Sequence, residues 1–157
     1  MSDILTKQTK IIIWQNDNFK VTTPSIPHIC KQDGGHLIVS PQQNVSSITQ
    51  LSDDLLLEMY KIVAQCELAL ISILAKECIE IPFTNNQDNG NWAVFNNLPK
   101  SLHVHIYGRA KNSKKQIFGE ALYCPNPNSR FYDNNQPLTP QNIEDIKNHI
   151  INNINNS

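Results

Sequence analysis

Residues 101–107, Ser-Leu-His-Val-His-Ile-Tyr, alternate polar and apolar side chains, which is the period of a half-buried β-strand. Successive strand side chains point to opposite faces. Leu102, Val104 and Ile106 are therefore expected to enter a core, while Ser101, His103, His105 and Tyr107 line the other face together. Residues two apart on a strand stand about 7 Å apart. Two imidazoles at that spacing can address neighbouring atoms of one phosphate. A lone His-X-His is ordinarily a surface or satisfied core pair, so its meaning here depends on its surroundings.

Those surroundings predict an α+β fold. Ile11–Trp14 and Phe19–Thr22 read as strands, with Gln15-Asn16-Asp17-Asn18 as the turn between them. Pro24 and Pro27 break regular structure; Gly34-Gly35 then leads into a strand over His36–Ser40, ended by Pro41. Ser52 is a suitable N-cap for a long helix, and Asp53 and Asp54 suit its positive end. Leu55, Leu56, Met59, Ile62, Val63, Cys66, Ala69, Leu70, Ile73 and Leu74 recur at three- and four-residue steps, a stripe wide enough to pack on a sheet. Ile79–Phe83 and Trp92–Phe95 read as further strands separated by a polar loop, Thr84–Asn91. Thr139 and Pro140 give an N-cap and first-turn proline to a C-terminal helix with Ile143, Ile146, Ile150 and Ile154 on one face. Strands around one long helix define the α+β class.

Length and charge bound the function. A chain of 157 residues fits one domain, 1–157. A net charge of -1 argues against a partner that is a nucleic-acid polymer or a membrane surface. The apolar runs Ile11–Trp14 and Leu68–Ala75 are too short for a signal core or a span. Cys30, Cys66, Cys78 and Cys124 form no Cys-X-X-Cys pair, so reduced thiols in a cytoplasmic protein are expected. His28, Cys30, His36, His103 and His105 are a conceivable ligand set for zinc. Alternate residues of one strand seldom reach one tetrahedral ion, however, and nothing at a persuasive spacing completes the set, so no metal site is expected.

The stretch from Ser101 to Arg109 resembles the signature of the histidine triad (HIT) superfamily, His-φ-His-φ-His-φ-φ with φ apolar. Members often carry an arginine four residues after the third histidine. Arg109 stands four after His105, so His103 matches the second histidine, His105 the third, and Ser101 replaces the first. Gly34-Gly35-His36-Leu37-Ile38-Val39-Ser40-Pro41 is similar to the family's Gly-His strand. Gln87-Asp88-Asn89-Gly90-Asn91-Trp92 resembles the phosphate-side loop of its dinucleoside polyphosphate hydrolases, and Tyr107 to Ala110 matches the Tyr-Gly-Arg-Ala ending of small bacterial-type members. The resemblance covers about residues 11–125, with 126–157 as a C-terminal extension.

The resemblance implies an antiparallel sheet packed with one long helix and a C-terminal helix, in a homodimer. It implies a nucleotide hydrolase acting at the α-phosphate of dinucleoside polyphosphates or related conjugates, with a covalent nucleotidyl-histidine intermediate. His103 would be the nucleophile and His105 a donor to phosphoryl or leaving-group oxygen. His36 would buttress His103, with Ser101 as a weaker support. Gln87, Asn89, Asn97 and Arg109 would hold phosphate, Ile38 the adenine, and His28 the ribose. No cofactor is required, although magnesium can accompany the substrate. Lys111, Lys114 and Lys115 read either as a solvated turn or as contacts to distal phosphates. Ser101 cannot carry charge at neutral pH, which implies weakened chemistry. It also leaves open two alternatives: a nucleotidyl transferase, or a nucleotide-binding protein of little turnover that serves as a sensor or interaction module.

Overall fold

The computed structural model describes residues 9–74, 79–87, 101–126 and 129–155, with the backbone alone over 79–87. Five strands form one antiparallel sheet: β1 (Lys10–Gln15), β2 (Phe19–Pro24), β3 (His36–Pro41), β4 (Ile79–Gln87) and β5 (His103–Ala110), in the order β1-β2-β3-β5-β4. Helix α1 (Asp53–Leu74) follows β3, and helix α2 (Pro140–Ile154) closes the described chain. No described helix is long and apolar enough to cross a membrane.

Local chemistry sets these elements. The Asn16 Oδ1 accepts the backbone N–H groups of Asn18 (3.0 Å) and Phe19 (2.8 Å), closing the β1–β2 turn. Ser52 starts α1, its Oγ accepting from Leu55 N at 3.4 Å. Thr139 and Asn142 cap α2 reciprocally, each side-chain oxygen taking the other's backbone N–H at 3.1 Å.

The core lies between one face of the sheet and α1. Phe19, Val21, Leu37, Val39, Val104 and Ile106 meet Met59, Ile62, Cys66 and Leu70, and Ile146 and Ile150 of α2 join the same cluster. Each such side chain contributes about 1.5–3 kcal/mol through burial. The alternation in β5 thus divides as expected: Val104 and Ile106 go to the core, and the histidines go to the opposite face.

Two boundaries differ from expectation. β4 continues through Thr84–Gln87, which the sequence reads as loop. Their polar side chains argue against a strand, but pairing with β5 overrides that preference, placing Asn85 opposite His105 and Gln87 opposite His103. β5 itself begins at His103, so Ser101 precedes it, exposed. The strand expected over Trp92–Phe95 lies outside the described residues.

A close backbone crossing fixes β3 against β5. A Cβ on Gly108 would lie 2.0 Å from the Gly34 carbonyl oxygen, and Gly34 itself has φ 132°, a conformation side chains rarely adopt. Gly108 N donates to Gly35 O at 3.1 Å. The crossing sets the register that brings His36 opposite Tyr107 and Ile38 opposite His105.

Candidate functional site

The sheet face away from α1 carries the histidines. Register aligns Ile12, Thr22, Ile38, His105 and Asn85 in one row across all five strands. Ile38 is therefore beside His105 and outside the main core, although it is 2% exposed. Thr22 is buried as well, and its Oγ1 has no hydrogen-bond partner among the described residues.

Within this face the imidazoles form a continuous hydrogen-bonded chain. The His28 backbone N–H donates to His36 Nδ1 at 3.2 Å. A neutral imidazole has one donor and one acceptor, so His36 carries its proton on Nε2 and donates to His105 Nδ1 at 2.8 Å. His105 must then donate from Nε2 to His103 Nε2, at 3.1 Å. His103 accordingly holds its proton on Nδ1 and donates to the Ser101 carbonyl oxygen at 2.8 Å. A main-chain donor begins the chain and a main-chain acceptor ends it.

His28, His36 and His105 remain neutral because they are buried together. Burial first, and then the charge of His103, lowers the pKa of His28 to about 4. Burial carries His36 well below its ordinary value, helped by repulsion from His28 and His105. His105 falls to about 2, again mainly by burial, with His103 and His28 adding repulsion. Beside them, burial pushes the Tyr107 hydroxyl up, so it keeps its proton and pairs with His28 Nδ1 at 2.7 Å.

His36 supports the site differently from expectation. It bonds His105, not His103, because Ile38 and His36 pair with the C-terminal half of β5. His28 joins the cluster, its ring 4.7 Å from that of His36 and 5.6 Å from that of Tyr132. Asn135 Nδ2 holds the carbonyls of Pro27 (2.9 Å) and His28 (3.2 Å). Ser101 contributes its carbonyl to His103. Gln87 is placed by backbone register alone, and Asn89 and Asn97 lie outside the described residues. Arg109 turns away from the histidines; its guanidinium donates to the carbonyls of Ile117 and Glu120, because β5 ends one residue later.

The basic cluster is partly structural. Lys115 Nζ donates to Phe131 O (2.5 Å), Asp133 O (3.2 Å) and Asn135 Oδ1 (2.6 Å), tying down the segment that carries Tyr132. Lys111 and Lys114 are exposed. Lys10 of β1, unmarked by any motif, also bears on the site, its charge acting on both His36 and His105. Its even spacing from Ile12 on a strand was the available signal.

His28, His36 and His105 bring nitrogen atoms within 4.8 Å of one another, the composition of a three-histidine metal site. Their hydrogen bonds oppose that use. A ligating histidine ordinarily donates its second N–H outward, whereas His36 Nδ1 accepts from the His28 backbone N–H.

No protein-family model and no curated protein matches the chain. Solved structures do. A histidine triad protein from Bradyrhizobium japonicum superposes with a TM-score of 0.57 at 18% identity, over 98% of this chain and 96% of its own. The chain has the histidine triad fold. A zinc-bound histidine triad family protein from Mycobacterium smegmatis gives a TM-score of 0.58 at 14% identity, over 95% and 89% of the two chains. A uridylyltransferase gives 0.50 at 16% identity, over 96% of this chain and 44% of its own. At these identities the histidine triad likeness concerns the fold alone.

Proposed function

We propose that this chain is a nucleotide hydrolase, acting at the α-phosphate of dinucleoside polyphosphates or related nucleotide conjugates through a covalent nucleotidyl-His103. The observation that carries this is the pair of contacts at His103, with Nδ1 2.8 Å from the Ser101 carbonyl and Nε2 3.1 Å from His105 Nε2. With Nδ1–H held by the Ser101 carbonyl, its Nε2 lone pair faces the site beside a second proton donor. In the first step Nε2 forms a bond to the α-phosphorus as the bond from phosphorus to the leaving oxygen breaks. The Ser101 carbonyl then faces the cationic ring that develops. The His105 N–H, which rests on His103 Nε2 in the free protein, turns to a phosphoryl or leaving-group oxygen. In the second step water attacks phosphorus as the bond from phosphorus to His103 Nε2 breaks; the electron pair returns to the ring, the water's proton passes to solvent, and the nucleotide leaves.

No metal ion enters these steps, and magnesium would act only by accompanying the polyphosphate. Gln87 opposite His103 supports a phosphate-side role for the end of β4, and Ile38 beside His105 supports an apolar wall for the base. We place the protein in the cytoplasm as a homodimer. Three described cysteines without a disulfide support the first. The exposed apolar residues Leu57, Tyr60 and Leu68 on α1 support the second.

Quenching a reaction with diadenosine polyphosphate under non-acidic conditions, followed by peptide mapping, tests the intermediate. Label on His103, and its loss in His103→Ala with a rate fall of roughly 10³-fold or more, is the expected result. Label on His105 alone would overturn the assignment. One observation favours a binder of little turnover: the His103 lone pair is already occupied by the His105 N–H. Equal inactivity of wild type and His103→Ala, with both binding nucleotide, would select that alternative. Transfer of the nucleotide to an acceptor other than water would select the transferase, the activity named for one fold neighbour.

A further inference from the structure

From His105 the row across the sheet runs to Ile38, then Thr22, then Ile12. Each strand adds about 4.8 Å, so Thr22 stands about 10 Å from the histidines of β5. Thr22 is 3% exposed, and its Oγ1 is a buried hydroxyl that no described residue answers. Buried hydroxyls are ordinarily paired, so an orphan on this face marks a place for a ligand atom. Lys10 stands two residues before Ile12 and projects from the same face. Its charge reaches both His36 and His105. Lys10 is exposed at the sheet edge, and partial burial, with repulsion from Lys20, lowers its pKa. Among the described residues it makes no ion pair or hydrogen bond. An unpaired cation and an unpaired hydroxyl thus flank the end of the row beyond Ile38.

We infer that Lys10 selects the nucleobase, favouring a 6-oxopurine (guanine or hypoxanthine) over adenine, with Thr22 anchoring the same base edge. This rests on the nucleotide site proposed above, with phosphorus at His103 and the base on Ile38. A base on Ile38 carries its far edge toward β2 and β1, where these two groups stand. Lysine has three N–H donors and no acceptor. In guanine or hypoxanthine O6 and N7 both accept and lie side by side, so one ammonium bridges them. Adenine has an amino donor in place of O6, which sets two donors against each other. The Thr22 hydroxyl can donate or accept. It therefore pairs with the ring edge of either purine and adds affinity without choosing between them.

Calorimetric titration of the full chain with inosine, guanosine and adenosine 5′-monophosphates reads base preference without turnover. The inosine and guanosine nucleotides should bind roughly tenfold or more tightly than the adenosine nucleotide. Taking the ratio removes any general attraction of Lys10 for phosphate. Lys10→Met should bring that ratio close to one. Lys10→Gln should move it further toward adenosine, because a side-chain amide accepts from the adenine amine and donates to N7. Thr22→Val should weaken all three nucleotides by a similar factor, roughly three- to tenfold, and keep the ratio. Adenosine monophosphate bound as tightly as inosine monophosphate by the wild type overturns the selection, and so does a ratio unmoved in Lys10→Met. Unchanged affinities in Thr22→Val overturn the anchor. Failure to bind any of the three removes the nucleotide site and the selection together. The expected ratio in a protein without turnover upholds the selection and removes only the hydrolase. Equal hydrolysis of diguanosine and diadenosine tetraphosphates, with equal binding of the monophosphates, does the opposite.

Discussion

Burying three neutral histidines against one another makes the fold acid-sensitive. His28, His36 and His105 are all held below the ordinary histidine pKa, His28 at about 4. The unfolded chain titrates near 6.5. Below that pH the unfolded state binds protons that the fold refuses, so stability falls as pH drops; the His28 contribution levels off near pH 4, where the folded ring also charges. Between pH 7 and pH 5 a ring that stays neutral in the fold costs on the order of 2 kcal/mol, so the cluster costs several kcal/mol. That is comparable to the whole stability of a small domain, about 5–15 kcal/mol. Among the described residues, the groups facing the cluster are Lys10 from β1, His103 and Tyr107 from β5, and Tyr132 from the segment beyond it. None is an acid able to pair with a charged imidazole at these pH values. Urea unfolding at half-unit intervals from pH 7.5 to 5 measures the slope, and His28→Asn serves as a control for all other groups. Its slope should be shallower by about one proton. A wild-type loss below about 2 kcal/mol over this range, or equal slopes in the two proteins, would refute the picture of three buried neutral rings.

Ser101→Ala should change the single-turnover rate by less than about threefold, since the bond to His103 comes from the carbonyl; a fall of a hundredfold would give the hydroxyl a direct role. Gly108→Ala should destabilise the protein by about 2–4 kcal/mol in urea unfolding, because the new methyl meets the Gly34 carbonyl and not a movable side chain. Lys115→Met should cost about 2 kcal/mol by stranding three acceptors around residues 131–135. Proteolysis of that segment should accelerate in parallel.

The sequence made the architecture legible where periodicity and turn chemistry agreed. The division of β5 into core and histidine faces, the α1 stripe, and the Thr139 cap all follow from side-chain spacing and short-range hydrogen bonding. The end of β4 was hidden because Thr84-Asn85-Asn86-Gln87 have no strand-like pattern; only pairing with β5 makes them a strand. Arg109 misled for a related reason. Its distance from His105 in sequence is right, but a strand of limited length ends at Ala110 and lets the side chain join the following loop. His28 was hard to place because Pro24 and Pro27 break the register before it. Its position depends on Asn135, more than a hundred residues away in sequence.

Ser101 carries a different lesson about what a motif position supplies. Its side chain is not the histidine that the resemblance would place there, yet its peptide group is well held. The carbonyl of Ser101 and the N–H of Leu102 belong to one planar peptide, whose two polar groups point in opposite directions. Leu102 N donates to Val45 O at 2.8 Å, while Leu102 buries its side chain in the core. Those two anchors orient the peptide plane and so aim the Ser101 carbonyl at His103 Nδ1. Any residue able to adopt this backbone delivers the same acceptor. A serine at this position therefore serves the proposed nucleophile as well as a larger residue would, because the main chain holds the His103 proton.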